Sequence, residues 1–228
     1  QDHPSLLSHR EVVTFLHETG HCLHHLFTRV DRPNIAGTNG FEWDAIELPS
    51  QLMEDFAWDR GVLQAMSGHH ETGAALPDSL YDKLIAARHF LSGLFIVRQV
   101  EFALFDLLLH VGTMGSDPME VIEAVRDEVA VIRPPSWHRF PHAFSHIFAG
   151  GYASGYYSYL WAEVLAADGF QHFAEAGLID RSIAGKFRDE VLARGASRPA
   201  ADSFRAFRGR DADPAAMLVR HGLTADAH

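Results

Sequence analysis

The 228-residue sequence contains 47% hydrophobic and 21% charged residues, enough apolar material for the core of one large domain or two small ones. Its 30 acidic and 19 basic residues give a formal net charge of -11, which disfavours nucleic acids and anionic membranes as partners. The single cysteine, Cys22, excludes an internal disulfide and fits a reducing compartment, so we expect a cytoplasmic protein without a membrane span.

Apolar residues recur at helical spacing along most of the chain, so nearly all predicted elements are helices. The first runs from Ser8, its predicted N-cap, to about Val30 and is followed by a loop at 31–43 that has room for a short strand. Further helices are predicted over 45–66, from a cap at Asp78 or Ser79 through 84–112, and over 117–132, 152–175, 180–194, 200–207 and 213–221. The predicted fold class is therefore mostly α, with at most a small β element near 31–43.

The segment TFLHETGHCLHHLF at 14–27 places His17 and His21 four residues apart on one face of the first helix. Two imidazoles at this spacing can bind one zinc ion, and Glu18, about 100° further round the helix, can reach a water at the metal. Because the chain contains 16 histidines, a chance pattern of buried histidines is the alternative. Apolar neighbours on both sides favour burial, and buried imidazoles need polar partners or a metal.

The third ligand is predicted from the helix that follows the first loop. The pattern HExxHxxGxxH is excluded, since His24 and Phe27 stand where it requires glycine and histidine. Glu47, Gln51 and Glu54 fall at i, i+4 and i+7, so they share one helix face. We predict Glu47 as the ligand and Glu54 as the acceptor of a hydrogen bond from a ligand histidine, the alternative being a solvated acidic face.

A tyrosine pattern follows His146 in FSHIFAGGYASGYYSYLWAEV at 144–164. Tyr152, Tyr156 and Tyr159 recur at i, i+4 and i+7, which predicts three phenols on one helix face. Aromatic stripes at this spacing are commonly part of a core. Tyrosine and histidine are also suitable donors to an oxyanion, and the metal motif favours that second interpretation.

Three segments together resemble the thimet oligopeptidase and oligopeptidase A family of zinc metallopeptidases, nearest to its bacterial oligopeptidase A and dipeptidyl carboxypeptidase branch. They are HETGHCLHH at 17–25, DAIELPSQLMED at 44–55 and FPHAFSHIFAGGYASGYYSYLWAEVLAADGF at 140–170. The similarity runs from about Leu6 to the chain end. It implies a helical zincin-like catalytic domain that cleaves short peptides in a channel between two helical halves.

The resemblance also implies a role for each matching residue. One zinc ion is held by His17, His21 and Glu47, with Glu18 as general base. Substrate binding and stabilisation of the tetrahedral intermediate fall to His146, Tyr156 and Tyr159. The GTNG loop beside the substrate contributes Gly37 and Gly40, and Tyr152 is also expected to contact substrate. Thr19 stands where the family usually has a bulky aromatic residue, a position that points away from the metal, so we expect catalysis to tolerate it.

Chains of this family are much longer, and the additional part precedes the metal helix. We therefore expect residues 1–228 to be the C-terminal catalytic portion, with short peptides and the N-terminal part of its own chain as partners. The predicted function is zinc-dependent hydrolysis of peptide bonds in short oligopeptides. The alternative is a zinc-stabilised helical binding module, or an inactive fragment, without turnover.

Overall fold

The computed structural model describes residues 5–112 and 117–224. These residues form helices and short 3-10 segments and contain no β-strand, so the mostly α fold class is confirmed. The helices are α1 (His9–Leu26), α2 (Trp43–Ile46), α3 (Leu48–Phe56), α4 (Arg60–Met66), α5 (Asp78–His89), α6 (Ser92–Val111), α7 (Pro118–Val129), α8 (Ser145–Phe148), α9 (Ser158–Ala176), α10 (Arg181–Glu190), α11 (Ala200–Arg208) and α12 (Ala215–Arg220). In the loop near 31–43, a 3-10 segment at Pro33–Ile35 takes the place of the strand for which the sequence had room. None of the helices in the described ranges combines the length and hydropathy needed to cross a membrane.

The chain divides into two compact units, one formed by residues before 91 together with those after 161, and a smaller one formed by 91–161. The larger unit contains α1–α5 and α10–α12 with most of α9, and the smaller contains α6–α8. The core of the larger unit centres on leucines and phenylalanines, among them Leu48, Leu52, Phe173, Phe187, Phe204 and Phe207. The core of the smaller unit is formed by Phe105, Val121, Ile122, Val125, Phe144 and Ile147.

Helix α1 begins after Ser8, the predicted N-cap, which forms a capping box with Glu11. The Ser8 hydroxyl accepts from the backbone N–H of Glu11, and the Glu11 carboxylate accepts from the backbone N–H of Ser8 at 2.7 Å. Each side chain satisfies a donor that the first turn of a helix leaves unpaired. The helix ends at Leu26, four residues earlier than predicted.

The predicted helix over 45–66 is wrong as a continuous element, because the chain forms α2, α3 and α4 in its place. The first break is at Glu47, two residues before Pro49, which lies in the first turn of α3 as the sequence requires. Proline has no N–H to donate to the preceding turn and its ring clashes with the carbonyl four residues earlier, so a helix cannot pass through it undistorted. The second break precedes Asp59, whose carboxylate caps α4 by accepting from the Val62 N–H at 2.9 Å.

Two further helix predictions are corrected at residues with left-handed backbone conformation. The long helix through 84–112 is interrupted at Leu91, where φ is 56°, so α5 and α6 are separate. The helix predicted over 152–175 begins only at Ser158, since Ser154 has φ of 57° and Gly151 has φ of 85°. A right-handed helix cannot include such residues. Tyr152 and Tyr156 therefore lie before α9 and not on a face of it.

Helices α1 and α3 pack with their backbones in contact at Gly20, which is buried. A Cβ atom at Gly20 would lie 2.5 Å from the Pro49 carbonyl oxygen and 2.5 Å from Ser50 Cα. Both atoms belong to the backbone of α3, so no side-chain rotation can make room. Gly20 is thus required for the closest approach of the two helices that carry the predicted metal ligands.

We expect Gly20→Ala to lower the free energy of unfolding by about 2 kcal/mol or more, because the added methyl group overpacks a rigid contact. Gly185→Ala is the matched control, since Gly185 is also helical and an added Cβ would meet nothing within 4 Å. The control should lie within about 1 kcal/mol of the wild type, on the stabilising side. Urea unfolding followed by circular dichroism measures both. Equal stability of the two variants would contradict the proposed role of the contact.

Candidate metal centre

Helix α1 presents His17 and His21 on consecutive turns, with ring centroids 4.9 Å apart and planes at 83°. Glu47 lies at the junction of α2 and α3, and its side chain is buried. Its Oε2 is 3.4 Å from His17 Nε2 and 3.1 Å from His21 Nε2. The structure therefore brings together the three residues that the sequence predicted as ligands.

Two further side chains orient this cluster. Glu54 Oε1 accepts a hydrogen bond from His17 Nδ1 at 2.7 Å, in the outer position that the sequence predicted for it. The Ser50 hydroxyl lies 2.8 Å from Glu47 Oε2 as a donor. A carboxylate on one ring nitrogen fixes the imidazole tautomer and makes the other nitrogen a better metal ligand.

The donor set fits a divalent cation such as zinc. With Nδ1 of His17 donating to Glu54, its Nε2 carries a lone pair that faces the Glu47 carboxylate. Candidate ligand atoms of His17, His21 and Glu47 all lie within 4.8 Å of one another. Acceptors that face each other repel unless a proton or a metal ion lies between them. Two imidazoles and one carboxylate are a ligand set found in catalytic zinc sites, where the fourth position stays open.

The pKa of His17 is raised by the carboxylates around it. Burial lowers this pKa, while the hydrogen bond and charge of Glu54, with the charges of Glu47 and Glu18, raise it, and the net shift is upward. The three carboxylates favour positive charge at the imidazole. The cluster is therefore electrostatically suited to hold a cation.

Glu18 follows His17 on α1, and its side chain is exposed. Successive helical residues differ by about 100° in direction, so Glu18 does not join the cluster of His17, His21 and Glu47. Glu18 therefore lies adjacent to the predicted metal ligands without being one of them, as the sequence predicted.

Other residues of the motif lie outside this cluster. His24 is completely buried, and its ring packs on Phe41 at 4.8 Å between centroids. Cys22 is exposed. His25 Nε2 lies 2.6 Å from the Thr38 hydroxyl, so it joins α1 to the loop at 37–40. His24 follows His21 by three residues on α1, yet it lies in the core against Phe41 and not at the cluster.

Neither ring nitrogen of His24 has a hydrogen-bond partner among the described residues. Burial, followed by the charges of His25 and His21, lowers the pKa of His24 to about 4. An unfolded histidine has a pKa of about 6.5, so between these values the unfolded chain binds a proton that the folded chain does not. The contribution of His24 to stability is complete above about pH 6.5 and declines as the pH falls towards 4.

We therefore expect His24→Leu to reduce the loss of stability in acid. Between pH 6.5 and 5 the wild type should lose about 1.5 kcal/mol more of its free energy of unfolding than the variant. Urea unfolding at several pH values, with a chelator present so that metal binding does not contribute, measures the difference. Parallel pH dependences of the two proteins would show that His24 is not buried as an uncharged ring.

The smaller unit contains a cluster of His146 with three tyrosines. The His146 ring lies 5.9–6.4 Å from Tyr152, Tyr156 and Tyr159, and Tyr152 stacks on Tyr159 at 4.8 Å between centroids. The Tyr156 hydroxyl donates to Gln99 at 3.1 Å. Burial and then Tyr159 raise the Tyr156 pKa to about 12, so this phenol remains a donor at neutral pH. The prediction that the three tyrosines share one helix face is wrong, since α9 begins only at Ser158. The prediction that their rings lie close together is confirmed.

A buried carboxylate shapes the segment that carries these tyrosines. Asp106, with no exposed surface, accepts from the backbone N–H groups of Ser154 at 2.9 Å and Tyr156 at 2.8 Å. His110 Nδ1 lies 2.8 Å from the same carboxylate. The sequence contained one signal for this role, an aspartate within the most apolar helix. It did not reveal the partner.

Backbone geometry requires glycine at both ends of the GTNG loop at 37–40. Gly37 and Gly40 have φ of 59° and 64°, values that glycine adopts without strain. A Cβ on Gly37 would lie 2.4 Å from His25 Nδ1, and one on Gly40 would lie 2.8 Å from the Asn34 carbonyl oxygen. These constraints account for the glycines, and their contact with substrate stays a prediction.

A cavity of about 450 Å³ in the larger unit lies between α1, α3, α9 and α10. Its walls are mostly apolar, for example Leu23, Met53, Phe56 and Phe173, and none of the three predicted metal ligands lines it. The cavity is therefore distinct from the cluster of His17, His21 and Glu47, called the metal-ligand cluster below, whose histidine side chains are 22% and 27% exposed.

Comparison with known proteins agrees with these features. Residues 1–223 match Peptidase family M3. The chain is 50% identical over 223 residues to "Oligopeptidase A" of Escherichia coli (strain K12), and the matched region covers 96% of this chain and 33% of that protein. It is 46% identical to "Probable cytosolic oligopeptidase A" of Arabidopsis thaliana, over 98% of this chain and 33% of the relative. It is 36% identical to "Dipeptidyl carboxypeptidase" of Escherichia coli (strain K12), over 96% of this chain and 33% of the relative.

The chain spans about a third of the length of these relatives. The family match covers nearly the whole sequence, including both units and all residues of the metal-ligand and tyrosine clusters. The chain belongs to peptidase family M3.

Proposed function

We propose that this chain carries the catalytic residues of a zinc-dependent oligopeptidase that hydrolyses peptide bonds in short peptides. The observation that carries the proposal is the convergence of His17, His21 and Glu47, with Glu54 behind His17. Family membership and the names of the relatives support peptide hydrolysis as the reaction. The chain spans about a third of the length of its relatives, so the activity of the whole protein is part of this proposal. The proposal also includes an N-terminal region that completes a substrate channel.

In this proposal His17, His21 and Glu47 hold the zinc ion, and Glu54 keeps His17 in the tautomer that exposes Nε2. A bound zinc ion supplies a Lewis acid that lowers the pKa of water towards 7 and polarises a carbonyl group. Ser50 maintains the Glu47 carboxylate by its hydrogen bond to Oε2. These residues bind and orient without changing their own protonation during the reaction.

Glu18 acts as the general base. Its carboxylate takes the proton from the attacking water and later transfers it to the leaving amine. Its exposure makes it accessible to water, and its direction on α1 keeps it out of the ligand set. One carboxylate thus serves as base and then as acid in successive steps.

The remaining residues of the proposal are those that the family resemblance implies. His146, Tyr156 and Tyr159 donate hydrogen bonds to the oxygen on which negative charge develops, and Tyr152, Gly37 and Gly40 contact the peptide. This part of the proposal is supported by the family's pattern and by donor chemistry: the phenol of Tyr156 stays protonated at neutral pH.

We expect Glu18→Gln to keep zinc and to lower kcat by at least about a hundredfold, because a neutral amide cannot accept the proton. His17→Ala should lose both zinc and activity. Metal analysis and cleavage of an internally quenched fluorescent peptide measure the two properties. Glu71→Gln, at an exposed loop position, is the control with wild-type values. Full activity of Glu18→Gln would contradict its assignment as the base, and zinc binding without turnover in the wild type would favour a binding module.

We expect Tyr156→Phe to lower kcat by about a hundredfold or more with unchanged zinc content, since a phenyl ring cannot donate to an oxyanion. Tyr81→Phe is the control: it also removes a half-buried phenol, one that donates to the Trp58 carbonyl at 2.9 Å. The control should retain its kcat. If both variants lose activity equally, the effect is one of stability and the proposed role of Tyr156 is wrong.

A further inference from the structure

A buried group of opposite charges lies beside the metal-ligand cluster in the larger unit. Arg220, in the last turn of α12, has a side chain that is only 10% exposed and is surrounded by three carboxylates. Its Nε is 3.0 Å from Asp55 Oδ1, its Nη2 is 3.8 Å from Glu54 Oε2, and its Nη1 is 3.7 Å from Glu163 Oε1. Nothing in the proposed mechanism uses this arginine.

The Glu54 carboxylate connects this group to the metal-ligand cluster. Its Oε1 accepts from His17 Nδ1 at 2.7 Å, while its Oε2 faces Arg220. The last torsion of a glutamate side chain has a broad energy profile, so rotamer preference does not fix the plane of the carboxylate. The histidine on one side and the guanidinium on the other define that plane.

We propose that Arg220 is a positioning residue for the metal centre, acting through Glu54 on the imidazole of His17. Among the described residues, Arg220 is the only arginine or lysine whose side-chain nitrogen lies within 4.0 Å of a Glu54 carboxylate oxygen. Arg88 cannot replace it, because its ion pair goes to Asp55 Oδ1 at 3.0 Å. His221, next along the chain, hydrogen-bonds to Glu163 instead.

Charge balance explains why an arginine is needed at this position. Glu54 and Asp55 are adjacent in sequence, and Asp55 is buried, so without a cation between them their carboxylates repel. The fork of a guanidinium reaches several carboxylate oxygens at once, which a lysine ammonium cannot do with fixed geometry. Removing Arg220 would leave Glu54 free to turn away from His17 Nδ1.

The inference rests on metal binding by His17, as proposed above, and requires no assumption about peptide hydrolysis. Partners that orient a ligand histidine typically change metal affinity by about 10–100-fold. We expect Arg220→Met to weaken zinc binding by about tenfold. Competition with a chromophoric chelator at fixed pH, on the purified protein, measures the zinc dissociation constant.

A double-mutant cycle separates positioning from general loss of structure. Glu54→Gln should also weaken zinc binding, and Arg220→Met should add less than about twofold in the Glu54→Gln background, because its effect passes through the same carboxylate. Additive losses in the double variant would overturn the proposal. So would an unchanged zinc dissociation constant in Arg220→Met.

Arg208→Met is the matched control. Arg208 has a side chain 9% exposed and pairs with Asp168 and Glu175, each at 2.9 Å, in the same unit but away from Glu54. This variant should lose stability and keep its zinc affinity within about twofold. If it weakens zinc binding as much as Arg220→Met does, the effect of Arg220 is general and the proposal is wrong.

Arg220→Lys keeps the proposal testable if Arg220→Met does not fold. It retains the charge but not the fork, and we expect zinc binding weaker by about threefold, with no further loss in the Glu54→Gln background. Wild-type zinc affinity in Arg220→Lys would then overturn the proposal. A wild-type protein that binds no zinc would instead contradict the proposed function itself, so the two failures are distinguishable.

Discussion

The metal-ligand cluster depends on the backbone contact between α1 and α3 at Gly20. Helix α1 alone supplies two imidazoles, but a carboxylate must come from another element to complete a ligand set. Only glycine lets the α1 backbone approach Pro49 and Ser50 closely enough for Glu47 to reach both histidines. The break between α2 and α3 at Glu47 serves the same end, because it places the carboxylate at a helix junction that faces α1. The cluster of His17, His21 and Glu47 thus depends on the absence of a side chain at Gly20.

Around this contact the larger unit arranges charge in layers. The three converging ligand atoms form the first layer, with Glu54 and Ser50 holding them from behind. Arg220, Asp55, Arg88 and Glu163 form a further layer of paired charges with little exposure. Buried charges are costly unless paired, and here the pairing also fixes the direction of each carboxylate. Through these contacts α12, near the end of the chain, is connected to α1, near its beginning.

Local sequence patterns predicted those parts of the structure that depend on local spacing. The i, i+4 spacing of His17 and His21 and the N-cap at Ser8 follow from helical geometry. Glu47 and Glu54 both approach His17, although Glu47 stands at the break before α3 and not within a continuous helix. The breaks at Leu91 and before Ser158 could not be predicted in this way, since they depend on backbone conformations that tertiary contacts stabilise. The burial of His24 and the position of Arg220 depend on contacts between distant segments, and no periodicity encodes those. The family resemblance located the tyrosines, although the helix on which they were expected begins after two of them.

The carboxylate of Asp106 holds the segment at 149–157, which contains Tyr152 and Tyr156, from outside helix α9. Within residues 149–157 the backbone N–H groups of Ser154 and Tyr156 donate to one side chain of α6, and α9 begins only at Ser158. A change of length or sequence in this segment need not alter the register of α9, because the helix starts afresh at Ser158. Because loops tolerate changes of length and sequence better than helices do, this segment can vary without disturbing the scaffold that holds it.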